Sequence, residues 1–254
     1  MSRKLDITCA GRTDVGVIRS GNEDNYLMVP DRGVFIVADG MGGHAAGEVA
    51  SEMAVRIIAR ELGDISRVTN TEASDLIRHS IIRANSTIFQ RTLSEQDKRG
   101  MGTTATAMVI IDDKYLIGQV GDSRAYLLRD GTLVQLTKDH SYVQEQVDAG
   151  YLSPEEARTH PYSNVITRCV GANVDVTPDV YSGTLRVGDV YLLASDGLTG
   201  MIEDEDLMGL MERVREPQRL ADELVDEANR RGGLDNVTVI VIRVDGTRDA
   251  THGE

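Results

Sequence analysis

Short apolar runs rich in β-branched residues recur along this 254-residue chain, and the strongest of them end beside an aspartate. Val34–Ala38 reads V-F-I-V-A, a continuous apolar stretch that suits a strand buried on both faces. It stops at Asp39, and G-M-G-G-H follows over 40–44. So many glycines leave little side-chain bulk around the carboxylate, and a cation or a phosphate could come close to the backbone. A lone D-G pair would read only as the turn into the next helix. Here the pattern repeats: residues 115–121 lead to Asp122, residues 190–195 lead to Asp196, and the last run, 237–244, starts directly after Asp235-Asn236. Strand ends that each carry an aspartate point to one convergent acidic site.

The remaining pattern fills in around these runs. Residues 5–10 predict an edge strand followed by a G-R-T-D turn, 19–24 a polar loop, and 26–29 a second strand. Val49, Ala50, Met53, Ala54, Ile57 and Ile58 fall at helical spacing up to Gly63, and Leu76, Ile77, Ile81, Ala84, Ile88 and Phe89 line one face of a longer helix. Runs 103–111 and 115–120 form one hairpin, and 124–128 and 133–136 another. Between 138 and 171 the periodicity breaks into short amphipathic pieces. These include 141–149 and a capping box, Ser153-Pro-Glu-Glu156, with proline at the first helical position. Strands return at 175–182 and 189–195, two helices follow at 204–214 and 217–231, and Gly232-Gly233 stops the second of them.

Hairpin-joined strands with helices in pairs indicate an α+β fold and exclude an alternating βαβ order. A four-layer αββα sandwich, two antiparallel β-sheets flanked by helix pairs, accommodates every one-sided element. No linker or shift in composition divides the chain, so one domain is expected over 1–245, with 246–254 as a disordered tail. The 138–171 interruption is long for a connection and reads as a partly helical flap subdomain beside the acidic site.

Composition narrows the chemistry. The formal net charge of -14 argues against a nucleic-acid or anionic-membrane partner and suits hard cations. Cys9 and Cys169 lack any C-x-x-C spacing, and neither a signal-peptide core nor a membrane-length apolar run is present, so a soluble cytoplasmic protein is expected. Asp39, Asp196 and Asp235 offer oxygen ligands, with neither His nor Cys at a metal-ligand spacing, which selects Mg²⁺ or Mn²⁺. Several carboxylates in one place raise one another's pKa unless cations sit between them. Two divalent ions roughly 3.5–4 Å apart would relieve that repulsion and activate a water for in-line attack on a phosphoester.

The motifs R-S-G-N-E-D-N (19–25), V-A-D-G-M-G-G-H-A-A-G-E (37–48), G-T-T (102–104), V-G-D-S-R (120–124), L-T-K-D-H-S (136–141), S-D-G-L (195–198) and G-G-L-D-N-V-T (232–238) occur in this order. Together they make the chain resemble a bacterial metal-dependent protein serine/threonine phosphatase of type 2C (the PPM family) over about residues 5–245. The resemblance implies hydrolysis of phosphoserine and phosphothreonine on proteins by a metal-bridged water, in opposition to a serine/threonine kinase acting on the same substrates. It implies two catalytic Mn²⁺ or Mg²⁺ ions. Asp39 would bridge them, the Gly40 carbonyl would ligate one, Asp196 and Asp235 would complete the first ion's shell, and Asp24 would hold the second ion through water. Asp122 with Asp196 resembles the position of a third ion, and Arg19 the arginine that binds the substrate phosphate.

The animal pattern places a histidine directly after the D-G pair, where this chain has Met41. His44, three residues later, could protonate the leaving alkoxide or pack at the head of the following helix, and a metal-held water could serve as the acid instead. A cysteine-dependent phosphatase is excluded, because Val15 and Asp175 stand six positions after Cys9 and Cys169 where an arginine is required. The alternative is a catalytically weak regulatory phosphatase or phosphoprotein-binding module in a partner-switching pathway. It would normally show a lost ligand, and every matched acid is intact. The expected partners are phosphorylated proteins met by a monomer, with no nucleic acid and no membrane.

Overall fold

The computed structural model describes residues 3–42, 46–63, 65 and 69–249. Its strands are β1 (Arg3–Asp14), β2 (Asn25–Val29), β3 (Val34–Ala38), β4 (Gly40–Met41), β5 (Gly102–Thr103), β6 (Ala105–Ile111), β7 (Lys114–Val120), β8 (Arg124–Arg129), β9 (Thr132–Gln135), β10 (Asp179–Thr184), β11 (Val190–Ala194) and β12 (Val237–Asp249). Its helices are α1 (Ala46–Glu61), α2 (Asn70–Ser94), α3 (Tyr142–Asp148), α4 (Pro154–Arg158), α5 (Asp196–Thr199), α6 (Asp204–Arg213) and α7 (Pro217–Arg230). One five-stranded sheet runs β1-β12-β11-β8-β9 and the other β10-β7-β6-β3-β2, with a β4-β5 ribbon beside them. The pairings within both sheets are antiparallel.

Three apolar clusters explain the layering. Phe35 and Val37 of β3, with Met108 and Ile117, face Leu127, Tyr191, Leu193, Ile240 and Ile242 of the other sheet. The alternate residues of β3, Val34, Ile36 and Ala38, turn outward under Ala50, Ala54 and Ile58 of α1 and Ile77, Ile81 and Ile88 of α2. On the opposite side, Leu192, Val239 and Val241 lie under Leu207 and Met211 of α6 and Leu220, Leu224 and Val225 of α7. Both faces of the central strands are therefore buried, which is why β3 reads as an unbroken apolar run. The result is the expected αββα sandwich.

The antiparallel order brings the acidic strand ends to one place. Ala38, at the end of β3, pairs with Asn25 at the start of β2, and Val120, at the end of β7, pairs with Ala105 at the start of β6. In the other sheet, Ala194 at the end of β11 pairs with Val239 near the start of β12 and with Arg124 at the start of β8. Asp24, Asp39, Asp122, Asp196 and Asp235 each lie within two residues of one of these ends.

Three local expectations are corrected. Residues 11–14 do not turn but continue β1, because Gly11 through Asp14 pair with Ile240 through Val237. Gly11 serves a close approach there, since a Cβ would stand 2.6 Å from the Tyr26 ring. Residues 246–249, expected to fray, extend β12 against the start of β1. The run 103–111 is broken at Thr104, so that Gly102 and Thr103 pair with β4 instead.

The 138–171 segment holds α3 and α4, each with a serine N-cap, Ser141 and Ser153. It is fastened at its base. Tyr142 N–H donates to Val165 O at 2.8 Å and Thr167 N–H to His140 O at 2.8 Å, and Thr103 and Val170 exchange backbone hydrogen bonds of 2.9 and 2.8 Å.

Candidate active site

Asp39 leaves β3 with its backbone fixed on both sides. Its N–H donates to Thr104 Oγ1 at 2.9 Å, while its carbonyl accepts from Thr104 N–H at 2.8 Å and Thr103 Oγ1 at 2.9 Å. Thr104 Oγ1 lies 2.7 Å from Ser123 Oγ, which ties this strand end to the turn that carries Asp122. Asp24 Oδ2 accepts from Ser195 Oγ at 2.8 Å, and Ser195 Oγ accepts from Thr238 N–H at 3.0 Å, so one hydroxyl links loops from both sheets. Asn236 performs a similar service, accepting from Glu23 N–H at 2.8 Å and donating to Val15 O and Gly21 O at 2.8 and 2.9 Å. The glycine beside Asp39 also has a packing use. A Cβ on Gly40 would stand 2.2 Å from Gly47 O and 2.5 Å from Glu23 O, so the missing side chain lets α1 pack against the D-G turn.

Asp39, Asp24, Asp122 and Asp196 are brought together, Asp24 and Asp122 buried and Asp39 and Asp196 half-buried. Burial, followed by the Asp24, Asp196 and Asp122 charges, holds the Asp39 carboxyl well above the usual carboxylate range. Burial also pushes Asp24 up to about 7 and Asp122 up to about 8, with Asp196 a further cause in both. Asp196, at the first position of α5, is raised by burial too, and its side chain is hydrogen-bonded to that of Asp39. Two carboxyls in hydrogen-bonding reach of each other need a proton or a cation between them. Asp235 sits at the rim, where its Oδ2 accepts from Arg19 Nη2 at 2.6 Å.

The donor set fits a hard divalent cation. Every candidate side-chain ligand is a carboxylate oxygen, and Asp24 Oδ1 and Asp196 Oδ1 are buried without a hydrogen-bond partner. Among the described residues no three acidic, histidine or cysteine side chains close a metal cage by themselves. The Asp24, Asp196 and Asp122 carboxylates instead act together on Asp39. His44 lies outside the described residues. Ser195, Asn236 and Thr238 stand inside the S-D-G-L and G-G-L-D-N-V-T motifs, and the hydrogen bonds they make across the site emerge from the fold.

A family model for protein phosphatase 2C matches residues 19–227. The serine/threonine phosphatase stp of Listeria monocytogenes is 40% identical over 247 residues, covering 94% of this chain and 98% of that protein. The protein phosphatase PhpP of Streptococcus pneumoniae is 42% identical over 236 residues, covering 91% of this chain and 94% of that protein. Among solved structures, the catalytic domain of the serine/threonine protein phosphatase PstP in complex with two manganese ions gives a TM-score of 0.85 at 37% identity, covering 97% of this chain and 100% of that one.

Proposed function

The chain belongs to the protein phosphatase 2C family of metal-dependent serine/threonine phosphatases, and on that premise we propose that it removes phosphate from phosphoserine and phosphothreonine of proteins at the Asp39-centred site. The observation that carries the reading is the convergence of Asp39 with the buried Asp24 and Asp122 and with Asp196 where both sheets end. Asp39, with the Gly40 carbonyl, would hold two Mn²⁺ or Mg²⁺ ions, Asp196 and Asp235 would serve the first, Asp24 would serve the second through water, and Asp122 with Asp196 would hold a third. When bound, such ions supply a nucleophile from water near neutral pH and neutralise charge on the phosphoryl oxygens.

The chain's own residues do the positioning. Arg19 stands half-exposed at the rim, anchored to Asp235, and its planar donors suit a phosphoryl dianion arriving from solvent. Thr104 and Ser123 fix Asp39 against the Asp122 turn, and Ser195 fixes Asp24. We take the chain to work as a monomer. The net charge of -14 speaks against nucleic acid as substrate, and among the described residues no helix is long and apolar enough to cross a membrane. We assign the chain to the cytoplasm, opposing a serine/threonine kinase, with 138–171 as a flap over the route to the site.

Release of inorganic phosphate from a phosphothreonine protein in Mn²⁺ buffer, abolished by EDTA and restored by excess Mn²⁺, is the expected result. Full turnover in metal-free buffer overturns the reading.

A further inference from the structure

The turn at 121–124 carries Asp122 and is gripped at both ends by two neighbours from the base of the flap, Asp139 and His140. His140, 3% exposed, clasps Gly121 in both directions. Gly121 N–H donates to His140 Nδ1 at 3.1 Å, and His140 N–H donates to Gly121 O at 2.9 Å. Asp139 takes the other end, accepting from Arg124 Nε at 2.9 Å and Nη2 at 2.7 Å. Gly121 has φ +105°, and a Cβ there would stand 2.5 Å from Thr104 Cγ2, so the turn cannot relax toward that side.

The ring's far nitrogen is held as well. An imidazole whose Nδ1 accepts carries its proton on Nε2, and Nε2 lies 3.1 Å from Asp179 Oδ2 at the start of β10. Asp179 Oδ1 accepts from Arg168 Nη1 at 3.3 Å. Burial lowers the His140 pKa, which keeps the ring neutral and able to accept.

We propose that His140 is a positioning residue for Asp122: Asp179 fixes the ring as its Nε2–H tautomer, and the free Nδ1 lone pair holds the 121–124 turn so that the Asp122 carboxylate stands at the cation site. The inference rests on the assignment of Asp122 as a ligand. A ring that only filled space would not need both nitrogens engaged. Partners that orient ligands in this way commonly set metal affinity.

Mn²⁺ binding to the full chain, followed by isothermal titration calorimetry, tests this alongside imidazole ¹⁵N shifts and the Gly121 amide signal. Asp122→Ala identifies the binding event that depends on Asp122. His140→Asn places a carbonyl oxygen where Nδ1 stands and should keep that event. His140→Gln reaches toward Asp179 but offers Gly121 no acceptor, and should weaken the event about 10–100-fold while the other binding events stay unchanged. Equal Mn²⁺ titrations for the Asn and Gln variants overturn the inference. If Asp122→Ala loses a binding event and His140→Gln does not, the His140 role alone falls. If Asp122→Ala changes nothing, the ligand assignment falls and the inference with it. Should His140→Gln not fold, Asp179→Ala carries the test, with the Nε2–H signature lost and the same event weakened. An unchanged signature and titration overturn it.

Discussion

Arg19 and Asp235 meet across 216 residues of sequence through a 2.6 Å hydrogen bond from guanidinium to carboxylate. The loops that carry them are laid tightly on each other, since a Cβ on Gly16 would stand 2.2 Å from Asp235 O, and Val17 N–H donates to Gly233 O at 2.8 Å. The pair itself is half in solvent, and such exposed pairs contribute only about 0–1 kcal/mol. Arg19 can therefore exchange its carboxylate for a substrate phosphate at little cost.

Arg19→Ala should accordingly raise KM while changing kcat little. A charge-assisted hydrogen bond contributes about 1.5–3 kcal/mol, which corresponds to a rise in KM of about 10–100-fold. Steady-state kinetics on a phosphothreonine peptide checks this. An unchanged KM with a reduced kcat would instead place the arginine's contribution in the transition state.

Asp39→Ala and Asp196→Ala remove carboxyls that burial and their neighbours already hold in a costly position. Each should lose at least about a hundredfold in activity, because cation binding supplies several kcal/mol of transition-state stabilisation. Each cation-free variant should nevertheless melt at or above the wild-type temperature at pH 8, since one buried like charge is gone. Calorimetry in EDTA beside a Mn²⁺-supplemented assay measures both, and a variant that keeps wild-type turnover removes that residue from the ligand set.

The same carboxyls fix the sign of a pH dependence. An unfolded aspartate titrates near 3.9, whereas Asp24 is pushed up to about 7 and Asp122 up to about 8 in the fold. Between these values the native state binds more protons than the unfolded state, so the stability from these groups is fully present below about pH 4 and is lost as pH rises through 7 to 8. The melting temperature of the EDTA-treated protein should fall between pH 5.5 and 8.5, in the order of about several degrees. Mn²⁺ should restore more of it at the alkaline end, where protons no longer compete for the ligands. A flat profile in EDTA would show that these carboxyls are not raised.

Much of this was legible in the sequence for a physical reason. Strands buried on both faces leave unbroken apolar runs, and an aspartate that ends such a run is visible without any knowledge of pairing. The parts that were not legible lack a periodic signature. The turn tendency of G-R-T-D at 11–14 gives way to pairing with β12, and polar residues 246–249 are ordered only because β1 lies beside them. α5 spans four residues, too few to show a helical period, yet it places Asp196. The space beside Gly40 looked open and is taken by Gly47 and Glu23, which stand far enough away in sequence that no local pattern announces them. Ser195, Asn236 and His140 work through hydrogen bonds to partners remote in sequence, and residue type alone does not say which.

The flap offers the last test. It carries a packed aromatic group, Tyr142, His160 and Tyr162, with ring centroids 5.6–6.0 Å apart, and Tyr151 and Tyr162 stand 77% and 58% exposed. Arg158 of α4 donates to Thr199 O at 3.4 Å, at the far end of the short helix that begins with Asp196. The segment is thus fastened at its base, hydrogen-bonds to the site's own helix through Arg158, and turns aromatic surface to solvent. Gly150, at φ +75°, separates α3 from the new start at Ser153 and supplies a turn that other residues rarely adopt. Replacing residues 145–160 with a short glycine-serine linker should leave p-nitrophenyl phosphate hydrolysis within a few-fold, because none of the assigned ligands lies in that stretch. It should also reorder preference within a panel of phosphopeptides, because on the role proposed for 138–171 a protein substrate must also pass this segment, while a small one needs only the site. If the peptide ranking survives the replacement intact, the flap has no part in substrate choice. A collapse of the small-substrate activity would mean that the Arg158 contact is needed to hold α5, and with it Asp196, in place.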